Sequence, residues 1–293
     1  MRDLAHALAD KELEEIEKRI EKIYRRANTE VEKKAAAYFK RFDALDKQKR
    51  ALVESGEMTE KAYKKWKQGK IMTGKHWKAL KYQTAEAMNK ANVTAIEYVN
   101  GRVPSVYAVN RNSVALALNK QIKGISFELV DAHTVKNLAT KDKTLLPYKV
   151  VNGKRDVRWN TQKVNSEILQ GILQGDSIPN LSKRLRHVTE MNRASSVRNA
   201  RTAITSAENK GRIDMLHDAE EMGVQTKKIW IATGDNRTRE AHADLDGKEA
   251  WVDEPFENEF GQIMFPGDPD ANPANVYNCR CTLGYHVVGF HRR

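Results

Sequence analysis

The sequence predicts an α+β protein with a mainly helical N-terminal region, a further helical segment and a small loop-rich α+β module at the C-terminus. Two observations predict this class. Up to about residue 223, apolar residues recur mostly at steps of three or four, as on one face of a helix. Beyond that point, short stretches of strand composition alternate with dense turn residues. A length of 293 residues suits two domains. We place a basic helical domain at 1–150 and a second domain at 151–293.

The helices follow from apolar spacing and from residues that start or stop a helix. Leu13, Ile16 and Ile20 lie on one stripe of a first helix, which Ser55-Gly56 ends. Lysines alternate with aromatic residues between residues 63 and 82; this pattern occurs in nucleic-acid binding, although aromatic residues at helical spacing more often pack in a core. The predicted helices cover about 10–54, 59–69, 73–100, 105–120, 158–174, a short segment after Pro179, and 192–223.

The strands are predicted from alternation and composition. Residues 125–131, ISFELVD, alternate as a half-buried strand does. Residues 141–156 contain Pro147 and Asn152-Gly153 and are predicted as a loop or hairpin. A module with this many turns has a thin core and commonly needs an additional cross-link. Its predicted strands cover 227–233, 249–252, 263–265 and 282–288.

The charge of the chain favours acidic partners. The net charge is +12 and the pI about 9.5, which suits nucleic acid or another anionic surface, although surplus surface lysines are the simpler explanation. Residues 230–293 reverse the balance, with more acidic than basic side chains. No apolar run approaches the ~18 residues of a membrane span, so no membrane partner is expected. The charged N-terminus lacks the apolar stretch of a secretory signal.

The cysteines suggest a metal rather than a disulfide. Cys279 and Cys281 are separated by one residue, a spacing that strains a mutual disulfide, so a reducing cytosol is expected. With His242 they form three ligands of a structural zinc site. The spacing is not the Cys-x-x-Cys of common zinc motifs. The alternative is therefore two buried small side chains, with His242 hydrogen-bonded to a carboxylate. A fourth zinc ligand is available from Asp235, Asp244 or His286.

Catalysis is the weaker interpretation of the same residues. A cysteine–histidine dyad is formally available, and the aspartates between 235 and 246 resemble a nuclease metal site. However, the sequence contains no phosphate-binding glycine loop, nucleophile elbow or His-Glu-x-x-His motif. Aspartate and asparagine in turn-rich sequence usually brace turns through backbone hydrogen bonds. We therefore expect a protein that is not an enzyme.

Two pairs of charged residues are predicted to hold the C-terminal module together. Asp235 is expected to pair with Arg237 or Arg239, tying its loop to the helix that follows. Arg201 and Glu208 are seven residues apart on one helix face, where they could clamp that helix to the module.

Five ordered sequence pieces carry a resemblance over about residues 155–288. They are RTAITSAENKGRIDMLHDAEEMGV, KKIWIATGDNRTREAHADLDG, PF followed by FPGDP, and NCRCTLGYHV. In this order and spacing they resemble the phage head morphogenesis (minor head protein) family, whose namesakes are the Mu F protein and the gene 7 product of phage SPP1. The matched motif positions, which the resemblance implies are structural, are Arg201, Asp235, Arg237, Arg239, His242, Asp246, Cys279, Arg280 and Cys281.

The resemblance implies a minor capsid component of a tailed bacteriophage. Members of the family associate with the portal protein and help DNA packaging or delivery. The expected partners are thus the portal, non-specific double-stranded DNA, and the scaffold or major capsid protein. The expected location is the capsid interior near the portal, and the host cytoplasm during assembly. The alternative is a metal-dependent nuclease or toxin-like enzyme carried by a phage, because the domain also occurs fused to effectors. Only about five residues follow Val288, which argues against it.

Overall fold

The computed structural model describes residues 3–174, 176 and 178–290 and confirms the α+β class. The helices are α1 (Leu4–Glu54), α2 (Glu60–Thr73), α3 (Lys75–Asn100), α4 (Val103–Gln121), α5 (Ala132–Lys141), α6 (Gly153–Leu173), α7 (Ile178–Glu221), α8 (Glu240–Ala243) and α9 (Pro273–Val276). The strands are β1 (Val224–Ile231), β2 (Glu249–Trp251), β3 (Phe256–Asn258), β4 (Gly261–Ile263) and β5 (Thr282–Phe290). In the part of the chain that is described, no helix combines the length and the apolar character needed to cross a bilayer.

The helices differ from the sequence prediction at two places. The two segments predicted after Pro179 form one continuous helix, α7, because no glycine or proline interrupts residues 180–210. Helix α5 was not predicted. Its N-cap is Asp131, whose carboxylate accepts a hydrogen bond from the backbone N–H of Thr134.

The strand predicted at residues 125–131 is wrong. This segment is extended, but it pairs with side chains of α4 rather than with another strand. The Asn119 amide bonds both backbone groups of Phe127, at 2.7 and 3.0 Å. Asn112, seven residues earlier on the same helix face, does the same for Val130. Because the two amides already satisfy these backbone groups, the segment needs no strand partner.

The chain forms two compact units, each discontinuous in sequence. One crossing between them falls at Val150–Val151, where the sequence places its domain boundary. The division into contiguous domains 1–150 and 151–293 stays a prediction. The first unit contains the chain up to Lys18, Ile96–Val150 and the chain from Val197; the second contains Arg19–Ala95 and Val151–Ser196.

The core of the first unit lies around an antiparallel sheet in the order β2-β1-β5. Strand β1 buries every second side chain, from Val224 through Thr226 and Lys228 to Trp230. Strands β3 and β4 form a separate two-stranded sheet. Apolar residues that complete this core include Val114, Leu118, Phe127, Ile213, Leu216, Leu245, Val252, Phe256, Ile263 and Leu283.

The second unit is a helical core with a polar centre. Tyr24 is buried, and its hydroxyl bonds Ser196 Oγ at 2.6 Å and the Asn92 amide oxygen. Asn192 and Asn160 exchange amide hydrogen bonds, the shorter at 2.8 Å. These bonds satisfy polar groups that would be costly to bury alone. The largest fully buried apolar side chains around them are Ile20, Phe39, Trp77, Met88, Ile168 and Leu185.

Candidate functional site

The Cys-x-Cys segment is a turn fixed by its own backbone and by α7. Asn278 has a left-handed backbone, with φ of 61°, which asparagine tolerates better than most residues. Its backbone N–H donates to Thr202 Oγ1 at 3.1 Å, and its side-chain oxygen accepts from Arg201 Nη1 at 3.1 Å. The backbone N–H of Cys281 donates to Cys279 Sγ at 3.4 Å. The turn therefore points both sulfur atoms into the interior, where both cysteines are buried.

A polar ladder on α7 extends this anchoring along the chain. Thr205 Oγ1 donates to the Cys279 carbonyl at 2.7 Å. The Asn209 amide donates to the Cys281 carbonyl at 3.2 Å and accepts from the Leu283 N–H at 2.8 Å. Thr202, Thr205 and Asn209 share one helix face because they are three and four residues apart. The sequence analysis missed this ladder, although polar residues at helical spacing in an otherwise apolar face were the available signal.

The structure brings His242, Cys279 and Cys281 together. His242 lies on α8 and is 1% exposed. Its Nδ1 is 3.4 Å from Cys279 Sγ and 3.6 Å from Cys281 Sγ, and the three ligand atoms all lie within 4.8 Å of one another. The imidazole meets the Trp230 ring edge-on, with 5.2 Å between centroids. His242 Nε2 is buried and has no hydrogen-bond partner among the residues described.

The hydrogen bond between the two sulfur groups shifts their pKa values in opposite directions. The hydrogen bond from Cys279 lowers the pKa of Cys281 to about 4; burial opposes this effect, and His242 adds to it. The same hydrogen bond, together with burial, raises the pKa of Cys279 well above its usual value. Two neighbouring cysteine sulfurs and an imidazole in a buried pocket form a donor set that suits a soft metal ion.

Two details of the predicted cluster differ in the structure. Of the three residues considered as a fourth ligand, none joins the group. Asp235 pairs with Arg280 instead, and His286 Nδ1 lies 3.5 Å from Glu249 Oε1. The alternative of a carboxylate bonded to His242 is also wrong within the described residues, because the contacts of its ring nitrogens are with sulfur.

Asp235 pairs with the predicted Arg237 at the distance limit of an ion pair and, more closely, with Arg280, which was not predicted. Arg280 Nη2 donates to the Asp235 carboxylate at 2.8 Å, whereas Arg237 Nε is 3.9 Å away and its side chain is mostly exposed. The Arg239 side chain donates to the Tyr277 carbonyl. Arg280 holds the pKa of Asp235 at about 2, and the Arg237 N–H and Thr238 hydroxyl contribute. The pair thus ties the Asp235 loop to the residue between the two cysteines. Asp246 accepts from the Ala232 N–H at 2.8 Å.

Arg201 and Glu208 both contact the C-terminal module, as the clamp requires. Arg201 bonds Asn278, as described above, and its Nε donates to Glu17 at 2.7 Å. Glu208 is buried and accepts from Thr282 Oγ1 at 2.6 Å. That these contacts make Arg201 a structural motif residue stays a prediction.

A second group with metal-ligand chemistry was missed by the sequence analysis. His217, Glu220 and Asp253 place their ligand atoms within 4.8 Å of one another, and His217 Nδ1 is 3.3 Å from Asp253 Oδ1. Asp253 is exposed and the other two are partly exposed. Exposed acidic groups often cluster without a metal, so this group carries no site by itself.

Gly267→Ala is expected to destabilise the protein by about 2–4 kcal/mol, from a positive φ and a steric clash. Gly267, in the Phe-Pro-Gly-Asp-Pro piece, has φ of 84°, and an added Cβ would lie 2.7 Å from the Ser206 backbone nitrogen. The measurement is chemical unfolding. Gly247→Ala is the matched control, because Gly247 has φ of 75° and nothing within 4 Å of the added Cβ. Equal losses in the two variants would contradict the role of the Ser206 contact.

Comparison with known proteins finds similarity in the motif-bearing part of the chain. The family model described as "Phage Mu protein F like protein" matches residues 162–284. Three curated relatives match 41–47% of this chain, and the matched part is only a quarter to a half of each relative's own length. The NAD(+)–arginine ADP-ribosyltransferase EFV of Enterococcus faecalis is 33% identical over 121 residues, which are 41% of this chain and 25% of the relative. The minor head protein GP7 of Bacillus phage SPP1 is 31% identical over 123 residues, which are 42% of this chain and 39% of the relative. The uncharacterized protein YqbB of Bacillus subtilis is 28% identical over 157 residues, which are 47% of this chain and 50% of the relative.

No solved structure matches the chain. The family model falls on the segment that contains the α7 ladder, the Asp235–Arg280 pair and the Cys-x-Cys turn. Residues 162–284 of this chain are thus similar to the Mu F-like family of phage head morphogenesis proteins, and the match covers less than half of the chain.

Proposed function

We propose that this protein is a minor head component of a tailed bacteriophage that associates with the portal and contacts DNA while the capsid is assembled, filled or emptied. The observation that carries the proposal is the family match over residues 162–284, together with 31% identity to the SPP1 minor head protein over 123 residues. The proposed location is the capsid interior near the portal, and the scaffold or major capsid protein are further proposed partners. In this role the protein is not an enzyme.

The charge of the chain supports contact with DNA. At a net charge of +12, binding to phosphates with release of counterions gives sequence-independent and salt-sensitive association. The second unit also contains a cavity of about 310 Å³ with aromatic walls and a basic rim. Cations beside aromatic faces suit the phosphates and bases of nucleic acid. The basic lining residues are Lys34, Arg41, Lys70, Lys75 and His76, and the aromatic ones are Tyr38, Phe42 and Trp77.

The first test is association of the full chain with the portal protein of the same phage. Co-expression followed by size-exclusion chromatography is expected to give a complex of the two proteins. The Gly267→Ala variant, whose clash with Ser206 is expected to destabilise the motif-bearing module, shows how much of the complex is lost when folding is impaired. Elution of the wild-type protein apart from the portal at low salt would contradict the portal part of the proposal.

The second test concerns DNA. Retention of duplex DNA by the wild-type chain is expected to fall steeply with salt, because log K falls by about 0.9 per phosphate contact for each log unit of salt. Changing Lys34, Arg41, Lys70 and Lys75 to glutamine should reduce that slope. The matched control changes Lys18, Lys47, Lys64 and Arg25, which do not line the cavity; like Lys34, which pairs with Glu30, each has an acidic partner on its own helix. Equal losses in both variants would contradict a role for the cavity, and no retention by the wild type would contradict DNA contact.

The second candidate function is ADP-ribosyl transfer, which the E. faecalis relative favours. That relative is named as an arginine ADP-ribosyltransferase and is 33% identical over 121 residues. The matched segment is a quarter of that protein. We expect no transfer of label from NAD⁺ to arginine-containing acceptors, and labelling above a no-protein control would favour the enzyme.

A further inference from the structure

We propose that His242 Nδ1 and the sulfur atoms of Cys279 and Cys281 bind one Zn²⁺ ion, which forms a structural metal centre in the first unit. The ion would join α8, which follows β1, to the turn that precedes β5. This inference does not depend on the proposed role in the phage head.

The spacing of the three donor atoms fits a tetrahedral zinc ion. Zinc bonds are about 2.3 Å to thiolate sulfur and 2.0–2.1 Å to imidazole nitrogen, so a tetrahedral ion holds sulfur and nitrogen about 3.5 Å apart. The observed distances from His242 Nδ1 are 3.4 Å to Cys279 Sγ and 3.6 Å to Cys281 Sγ. Both values also lie within hydrogen-bond range for sulfur, so the donor atoms would need little displacement to bind an ion.

The surrounding structure holds the donors in place before a metal arrives. Thr205 and Asn209 fix the carbonyl groups of the two cysteines from α7. The backbone N–H of Cys281 donates to Cys279 Sγ, a bond that orients a thiolate ligand and partly neutralises it. The Trp230 ring packs against the imidazole of His242. Because the ligands are already ordered, little conformational entropy is lost on binding.

The chemistry of the donors favours zinc over the alternatives. Thiolate and imidazole in a tetrahedral arrangement are the typical ligands of structural zinc, and both thiols would bind as thiolates with their protons released to solvent. The described residues supply no fourth histidine, cysteine or carboxylate to this group, which leaves one coordination position for water.

The test uses the full chain purified without a polyhistidine tag. Elemental analysis is expected to give one zinc ion per chain. Removal of the metal with a chelator should lower the melting temperature, and one equivalent of Zn²⁺ should restore it, whereas Mg²⁺ should not. Substitution with Co²⁺ should produce the visible bands of a tetrahedral ion and a thiolate charge-transfer band. Failure of the metal-free protein to take up Zn²⁺ or Co²⁺ would overturn the proposal.

Variants then assign the ligands. Cys279→Ser combined with Cys281→Ser, and separately His242→Gln, should abolish both the zinc content and the charge-transfer band. His286→Gln is the matched control: it removes a partly exposed histidine on β5 that is outside the group, and it should leave both unchanged. The chelation experiment on the wild-type chain remains decisive if a variant fails to fold. A disulfide between the two cysteines in the protein isolated under reducing conditions, seen as the loss of two hydrogens by mass spectrometry, would also overturn the proposal.

Discussion

Arg212→Ala is expected to lower the free energy of unfolding by about 3–5 kcal/mol, because it breaks a buried ion network and leaves charged and polar partners uncompensated. The Arg212 side chain is 3% exposed. Its guanidinium donates to both carboxylate oxygens of Asp3 at 2.7 and 2.8 Å, and to Asn110 Oδ1 at 3.0 Å. It also donates to the Leu283 carbonyl on β5 at 3.0 Å. One side chain thus connects α7 with α4, β5 and the start of the chain.

The loss is large because of what remains after Arg212 is removed. Glu208, with a side chain 4% exposed, lies 3.7 Å from Arg212 and 2.7 Å from His6 Nδ1. Without the arginine, this buried carboxylate loses a cation. Asn110, which is fully buried, loses the donor to its amide oxygen. An unsatisfied buried polar group costs about 1–3 kcal/mol, and a charged group costs more.

Denaturant unfolding of the full chain measures this effect. Arg212→Lys should recover part of the stability, because it keeps the charge but not the planar five-donor group. The control is Arg237→Ala, which removes an arginine whose side chain is 65% exposed and should change stability by no more than about 0.5 kcal/mol. A loss below about 1 kcal/mol for Arg212→Ala would show that the network contributes little to folding.

The contribution of the buried Lys228 to the stability of the protein is expected to increase by about 3 kcal/mol as the pH rises from about 8 to about 10.5. Burial lowers the pKa of Lys228 from 10.5 to about 8. Its Nζ donates to the Val252 carbonyl at 2.9 Å and lies 5.3 Å from the centre of the Phe256 ring. Four nearby carboxylates oppose this lowering of the pKa: those of Asp253, Asp268, Glu254 and Glu220.

The sign of this pH dependence follows from the number of protons that the folded and unfolded states bind. Below pH 8, Lys228 is charged in both states, and the folded state carries the full cost of burying the charge. Between pH 8 and 10.5, the folded chain has released this proton while the unfolded chain still holds it, so the free energy of unfolding increases with pH. Above 10.5 both states are neutral and this contribution is constant.

Comparison of the wild type with Lys228→Met isolates this contribution from all other titrating groups. The variant keeps a long side chain but has no charge, so its stability should change less with pH across the window. Lys227→Met is the matched control, because Lys227 is the neighbouring residue on β1 and lies on the partly exposed face. If Lys228→Met and the wild type show the same slope between pH 8 and 10.5, Lys228 does not lose its proton on folding.

The local pattern of the sequence was enough to predict many of the helices and strands. Apolar spacing predicts α1, α3, α4, α6 and the second half of α7 closely, because burial of one helix face is a local property with a period of 3.6 residues. Strands β1, β2 and β5 were also predicted near their places, from composition and turn residues. Helix α5 and strand β3 are short and lack a strong periodic pattern, so the sequence did not indicate them.

Alternation fails as a strand signal where side chains replace a partner strand. Residues 125–131 alternate as a strand does, but Asn112 and Asn119 of α4 occupy their backbone hydrogen bonds. The closer partner of Asp235, Arg280, was not predicted for a related reason. Arg237 and Arg239 are near in sequence, whereas Arg280 is brought near only by folding.

The sequence by itself determined the α+β class, the basic character of the chain and the residue types of the cysteine–histidine cluster, because periodicity, charge and side-chain chemistry are properties of the chain alone. Only the tertiary structure decided that His242 meets two cysteines 37 and 39 residues away, that α7 holds their turn through Thr205 and Asn209, and that Arg212 is a buried hub. The physical reason is that such contacts depend on how distant elements pack. That packing is set by the summed burial and hydrogen bonding of the unit rather than by any local pattern.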